Sequence, residues 1–304
     1  MVLKDSFCGY DLYRIRSKEL QVSVMTLGAT VTSLQFSGRE MTLGYSSAKE
    51  YLAGTYYIGA IVGRYANRIA GARFDLNGKT VEVAPNENGN QLHGGPNAFD
   101  RQVWQAEVMG ENAVRFELHS PDGENGYPGN LSAWVTYSVE GDRLRINFEG
   151  ESDQDTLFAP TTHMYFSLGS EEGIWDAKLQ INADRYLAVD EQLIPAGAPL
   201  PARDAFDFSQ LRPIGGDYDH CFILCGQDAC RAEKDGVRME LKTDFPALQL
   251  YTGGGLTGVF RKNQGFAIEP EYLPDSPNRP EFPSAVLKKG EHFHKFAEYR
   301  FFKD

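Results

Sequence analysis

The sequence predicts an all-β protein of antiparallel sheets, and three observations carry that prediction. Apolar residues recur with a period of two rather than 3.6. Clusters of Gly, Asn, Asp and Pro punctuate the chain at short intervals. Segments with helical periodicity are scarce. The 304 residues read as a single sandwich domain over 1–304, because all-β sandwiches commonly reach this length as one unit. No Gly/Ser linker, low-complexity tract or exact repeat divides the chain.

The individual elements follow from local chemistry. Residues 134–139 alternate bulky with smaller or polar side chains, Glu140-Gly141-Asp142 supplies a turn, and residues 144–149 alternate strictly. That is a β-hairpin signature. Residues 22–24 and 114–118 repeat the alternation. Residues 46–52 and 205–211 are each read as a short helical turn. Two long loops, 87–99 and 122–131, are rich in polar and aromatic residues. Binding groups on a rigid β scaffold usually sit on such loops.

Composition narrows the function. The chain is 41% hydrophobic and 24% charged, ordinary for a globular protein with a sizeable core. Its formal charge of −12 repels nucleic-acid phosphates and anionic membranes, so neither is an expected partner. No basic segment followed by an apolar run opens the chain, and no run approaches the roughly 20 apolar residues of a membrane span. A cytoplasmic location is expected. The four cysteines, Cys8, Cys221, Cys225 and Cys230, are too few for a disulfide scaffold. Cys221, Cys225 and Cys230 lie near His220, but close CxxC-type pairs are missing, so they read as buried thiols rather than metal ligands.

Several residues can do chemistry. His93 lies in Leu92-His93-Gly94-Gly95, where paired glycines permit a sharp bend or close approach to a ligand. His163 is polar within an apolar strand-like run. Each is either a proton-transfer group or a hydrogen-bonded structural histidine. Glu269 rides an apolar strand into a Pro-rich loop. That setting makes it either a base with a raised pKa or a salt-bridged strand end. Arg64 and Arg68 are four apart, so an extended chain places them on one face as ligand donors or as structural ion pairs. Asp219 enters a buried strand and needs donors or a ligand. His119 reads as surface, and His292 with His294 as a solvated strand face. Gly253-Gly254-Gly255 reads as a strand ending in a turn, since no Walker spacing follows.

Taken in order, these segments resemble the aldose 1-epimerase (galactose mutarotase) family. The resemblance is carried by Gly63-Arg64-Tyr65-Ala66-Asn67-Arg68-Ile69, Leu92-His93-Gly94-Gly95, Pro121-Asp122-Gly123-Glu124-Asn125-Gly126-Tyr127-Pro128-Gly129 and His163-Met164-Tyr165-Phe166. It continues through Tyr218-Asp219-His220, Leu248-Gln249-Leu250-Tyr251-Thr252-Gly253, Ile268-Glu269 and Leu273-Pro274-Asp275-Ser276-Pro277-Asn278. The ordered set runs from about residue 25 to the C-terminus. It implies a galactose mutarotase-like β-supersandwich with an open sugar cleft. It also implies Glu269 as general base, His163 as general acid and His93 near the ring oxygen. Asn67, Arg68, Asp219 and Gln249 become sugar-hydroxyl contacts. No metal or organic cofactor is implied; the partner is a small aldose, and the protein is expected to be a monomer or weak homodimer.

One departure stands out. The family's usual Asn-His-Ser-Tyr-Phe-Asn-Leu is here Thr162-His163-Met164-Tyr165-Phe166-Ser167-Leu168, which bears on the orientation of His163 and on sugar preference. Mutarotation needs a base and an acid, expected here as a carboxylate and an imidazolium on opposite sides of the sugar. The competing readings are a glycoside hydrolase using Asp219 with Glu269 or Glu271, a non-catalytic sugar-binding protein and a hexose-6-phosphate epimerase.

Overall fold

A computed structural model describes residues 1–303. Three antiparallel sheets form the body. The first has five strands in chain order, from Val2–Phe7 to Arg39–Glu40. The second has nine strands. The C-terminal strand Phe293–Lys303 inserts there between Arg143–Ser152 and Val237–Thr243. The third has six, in the order Tyr165–Phe166, Phe266–Glu271, Ala247–Tyr251, Asp219–Leu224, Ala183–Tyr186 and Leu200–Pro201.

The predicted hairpin is present. Leu131–Glu140 pairs with Arg143–Ser152, Trp134 stands opposite Glu149, and Gly141 takes the left-handed turn conformation. Every second residue of Leu131–Val139 is buried, as alternation on a half-buried sheet requires. The sheets share one core. Val22 and Val24 enter it from the five-stranded sheet, Tyr137 and Phe148 from the nine-stranded sheet, and Phe222, Leu248 and Ile268 from the six-stranded sheet. Full burial of each such side chain contributes about 1.5–3 kcal/mol.

The 46–52 segment forms the α-helix Ala48–Ala53, with Ser47 as its N-cap. The 205–211 segment does not become helical. Only the 3-10 turn Asp204–Phe206 forms, because Phe208 is drawn into the core and its carbonyl accepts from the Ile181 N–H at 2.8 Å. Among the described residues, no helix is long and apolar enough to cross a membrane.

Two further sequence readings are corrected. Cys221 and Cys230 are buried, but Cys225 is exposed. It sits just past the Asp219–Leu224 strand, where the chain turns between sheets. Arg64 and Arg68 do not share a face, since the chain between them is not extended: Asn67 adopts φ 61. His292 and His294 are both exposed at the start of the C-terminal strand, where His292 meets Glu149 and Glu151. His119 is exposed and bonded to Ser132.

Arg64 is a structural tie. Its Nε donates to Ser120 Oγ at 2.8 Å, and its Nη atoms donate to the carbonyls of Ser120, Pro121 and Pro128 at 2.8, 2.9 and 3.0 Å. It gathers the ends of the 122–131 loop around one buried cation. Arg64→Met is expected to lower unfolding free energy by about 3 kcal/mol or more, since each orphaned buried acceptor costs about 1–3 kcal/mol. Chemical denaturation measures this; an unchanged midpoint and slope would refute the tie.

Candidate active site

One face of the six-stranded sheet lies in the core, and the other is open. Alternation sorts the residues: Phe266 and Ile268 join the core, so Glu269 and Glu271 point the opposite way. Register does the rest. Gln249 stands opposite Glu269, and Cys221 opposite Gln249. Asp219, two residues before Cys221, therefore falls on the same open face. Glu269 is thus delivered by the strand, as expected, but from the middle of Phe266–Glu271, and the Pro-rich loop starts only beyond the strand's end.

His163 follows Thr161–Thr162, which pairs with Ile61–Val62. Its backbone N–H donates to Ala60 O and its carbonyl accepts from Gly59 N–H, both at 2.9 Å. Alternation again decides direction. His163 and Tyr165 face the cleft, while Met164 and Phe166 enter the core. The Met164 departure from the family pattern is therefore a core substitution, and backbone pairing orients His163.

His93 reaches the site because Gln91–Leu92 pairs with Arg68–Ile69. The Asn67 N–H donates to His93 Nδ1, and the His93 N–H donates to Asn67 O, both at 3.0 Å. With Nδ1 accepting, a neutral ring carries its proton on Nε2. Gly94 follows in the left-handed region, and a Cβ there would collide with the Gly63 carbonyl. The glycine serves a close backbone crossing rather than a ligand. The 122–131 loop stays outside the site and braces this turn, with Asn125 Nδ2 donating to Gly94 O at 2.9 Å.

All seven sequence-predicted site residues line one cleft of about 160 Å³: Asn67, Arg68, His93, His163, Asp219, Gln249 and Glu269. His163 Nε2 lies 3.5 Å from Glu269 Oε1. The two groups stand side by side, not across a sugar-wide space. The two imidazole rings are 5.2 Å apart, and Tyr57 packs against both. Arg68 is held bidentate by Glu87 at 2.6 and 3.0 Å. Gln249 Nε2 donates to Asp219 Oδ1 at 2.6 Å. A larger cavity of about 550 Å³, lined by Gln180, Cys225, Arg231 and Lys242 among others, includes no histidine.

Electrostatics follow from dryness. Burial, then the Asp219 carboxylate, push Glu269 well above the ordinary carboxylate range, while Arg68 pulls it back only in part. Burial holds His163 down to about 4. Burial, then His163, depress His93. Burial also raises Asp219. Each shift disfavours a charge removed from water. Glu269 Oε2, His163 Nδ1 and Gln249 Oε1 are buried without hydrogen-bond partners. Such orphans are rare in a protein interior, and these three belong to residues that line one cleft.

His93, His163 and Glu269 offer ligand atoms within 4.8 Å of one another. The set suits a metal poorly, because the Asn67 N–H occupies the Nδ1 lone pair of His93 and leaves a hydrogen on Nε2. Sequence reasoning missed Thr55, Tyr56 and Tyr57 on the cleft wall, and Glu87 behind Arg68. The signal available was a polar-aromatic Thr-Tyr-Tyr run between Gly54 and Gly59. Glu271, a candidate second carboxyl for glycoside hydrolysis, is fully buried and bonds Asn67 instead of lining the cleft.

Comparison with known proteins places the whole fold. The family profile described as aldose 1-epimerase matches residues 11–300. The galactose mutarotase of Mus musculus is 37% identical over 321 residues, covering 95% of this chain and 93% of that protein. The aldose 1-epimerase of Escherichia coli K12 is 37% identical over 329 residues, covering 96% and 95%. An aldose epimerase homologue from C. elegans superposes with a TM-score of 0.93 at 27% identity, covering 97% of this chain and 99% of that one. A galactose 1-epimerase structure from Lactobacillus acidophilus gives 0.91 at 29% identity, covering 100% and 98%. With the family profile matched over residues 11–300 and relatives 37% identical over nearly its full length, the chain belongs to the aldose 1-epimerase family.

Proposed function

We propose that this protein is an aldose 1-epimerase that interconverts the α and β anomers of a free hexose such as glucose or galactose. The carrying observation is the Glu269–His163 pair, 3.5 Å apart in a cleft furnished with hydroxyl-binding groups. Mutarotation moves only protons. A base takes the anomeric hydroxyl hydrogen while an acid protonates the ring oxygen, and the ring opens to the aldehyde. Rotation about the bond between the first two carbons exposes the other carbonyl face, and the transfers reverse. Both oxygens hang from one carbon, so acid and base serve best as neighbours.

Carboxylate–imidazolium and carboxylic acid–imidazole hold the same single proton. The first form opens the ring; the second is what remains once the ring is open. Burial favours the uncharged form at both groups, so the dry cleft stabilises the open-chain stage relative to water. His93 Nε2–H supplies a neutral donor beside the same carbon. Asp219, Asn67 and the free N–H groups of Arg68 serve the sugar hydroxyls, and Gln249 Oε1 accepts from one. Arg68 is the one Lys or Arg among the cleft-lining residues, and Glu87 already neutralises it. That favours a free sugar over a sugar phosphate.

Polarimetry of freshly dissolved α-D-glucose and α-D-galactose tests the reading. The wild type accelerates decay of rotation for at least one, and Glu269→Gln loses about 10²–10⁴-fold or more. No acceleration over buffer with either sugar sinks the proposal. His163→Asn loses activity at unchanged thermal stability; if turnover persists, the acid role passes to His93. The pH profile of kcat/KM is a further check. The one-proton pair is active and the doubly protonated pair is not, so activity falls as pH drops toward about 4. An acid limb near the unperturbed imidazole value of about 6.5 would show that His163 is not desolvated.

A further inference from the structure

Glu271 is fully buried on the same sheet face as Glu269, two residues further along the strand. It does not line the cleft. Its cross-strand neighbour is Ala247, which belongs to an apolar cluster with Cys221 and Leu273. A carboxyl in such a place is costly unless it does something. It has one partner: Asn67 Nδ2 donates to Glu271 Oε1 at 3.0 Å. Asn67 Oδ1 in turn accepts from the Arg68 N–H at 2.9 Å. The amide is thus held at both ends, and its backbone is held in the left-handed region at φ 61. From that conformation the Asn67 N–H meets His93 Nδ1.

We propose that Glu271 is a positioning residue, which fixes the Asn67 turn and through it the Nε2–H tautomer of His93 and the placement of Arg68. The inference rests on the epimerase reading of this cleft. Loss of the carboxyl frees the amide, the turn relaxes, and Nδ1 of His93 no longer has a fixed donor. A misplacement of about 1 Å can cost on the order of 10²-fold.

The test combines polarimetry with ¹⁵N NMR of the histidines. Glu271→Leu is expected to lower kcat roughly ten- to a hundredfold, and Glu271→Gln, whose amide oxygen still accepts from Asn67, to recover most of that loss. Adding Glu271→Leu to Asn67→Ala costs no more than about twofold further, because both act through one contact. Asn67→Asp sets two carboxyls against each other and unfixes the His93 tautomer, and Asn67→Asp with Glu271→Gln restores the single tautomer by exchanging donor and acceptor. This exchange leaves no cavity and serves if the leucine variant does not fold. Without any turnover, His93 in Glu271→Leu shows a second tautomer. Independent, multiplicative losses in the double variant, failure of the exchange to restore the single His93 tautomer, or an unchanged His93 tautomer in Glu271→Leu overturn the proposal. A wild type inactive on both sugars defeats the epimerase reading instead, and the tautomer measurement still decides the role of Glu271.

Discussion

Glu269 is a carboxyl placed mid-strand in a sheet whose reverse face is the main core, and the rest of the site answers to that placement. Water hardly reaches it, so its charge must be balanced by a proton, by Arg68 or by a partner that exchanges protons with it. His163 stands 3.5 Å away, and burial favours the uncharged form of both groups. In the proposed mechanism the two exchange a single proton. The same desolvation acts on Asp219 and His93, so the cleft is tuned as a unit.

Rigid register makes such tuning possible. Gln249 is set opposite Glu269 by strand pairing, and its amide then holds Asp219. The wall bearing His93 is less regular. It depends on a two-residue ladder, a left-handed asparagine and a left-handed histidine. Non-glycine residues in that region persist only when their surroundings over-determine them. Here the surroundings are mutual: Asn67 and His93 exchange two hydrogen bonds, Glu271 and the Arg68 N–H hold the Asn67 amide, and Asn125 braces Gly94.

The aromatic groups complete the picture. Tyr57 and Tyr165 lie against the His163 ring on different sides of the cleft. Their rings pack against the imidazoles and help to keep them from water. Dryness is therefore built partly by aromatic side chains, and burial is the first cause of the shifts at His93 and His163.

Alternation was legible in the sequence because the side-chain period of a strand is a local property. It marked the hairpin of Trp134 and Glu149, and an apolar run marked the strand that carries Glu269. The ordered motifs likewise marked each site residue, since every one sits in a short distinctive run. Other features were closed to it. That Arg64 turns from Arg68 to tie a loop, that 205–211 stays non-helical, that Cys225 faces solvent and that Glu271 stands behind Asn67 all depend on partners far along the chain. So does the side-by-side geometry of Glu269 and His163. Local chemistry determined which residues could carry protons and which face of each strand they occupy. Only the tertiary structure decided which of them meet and how far water is excluded, because distance and desolvation are set by sheets packed from distant segments.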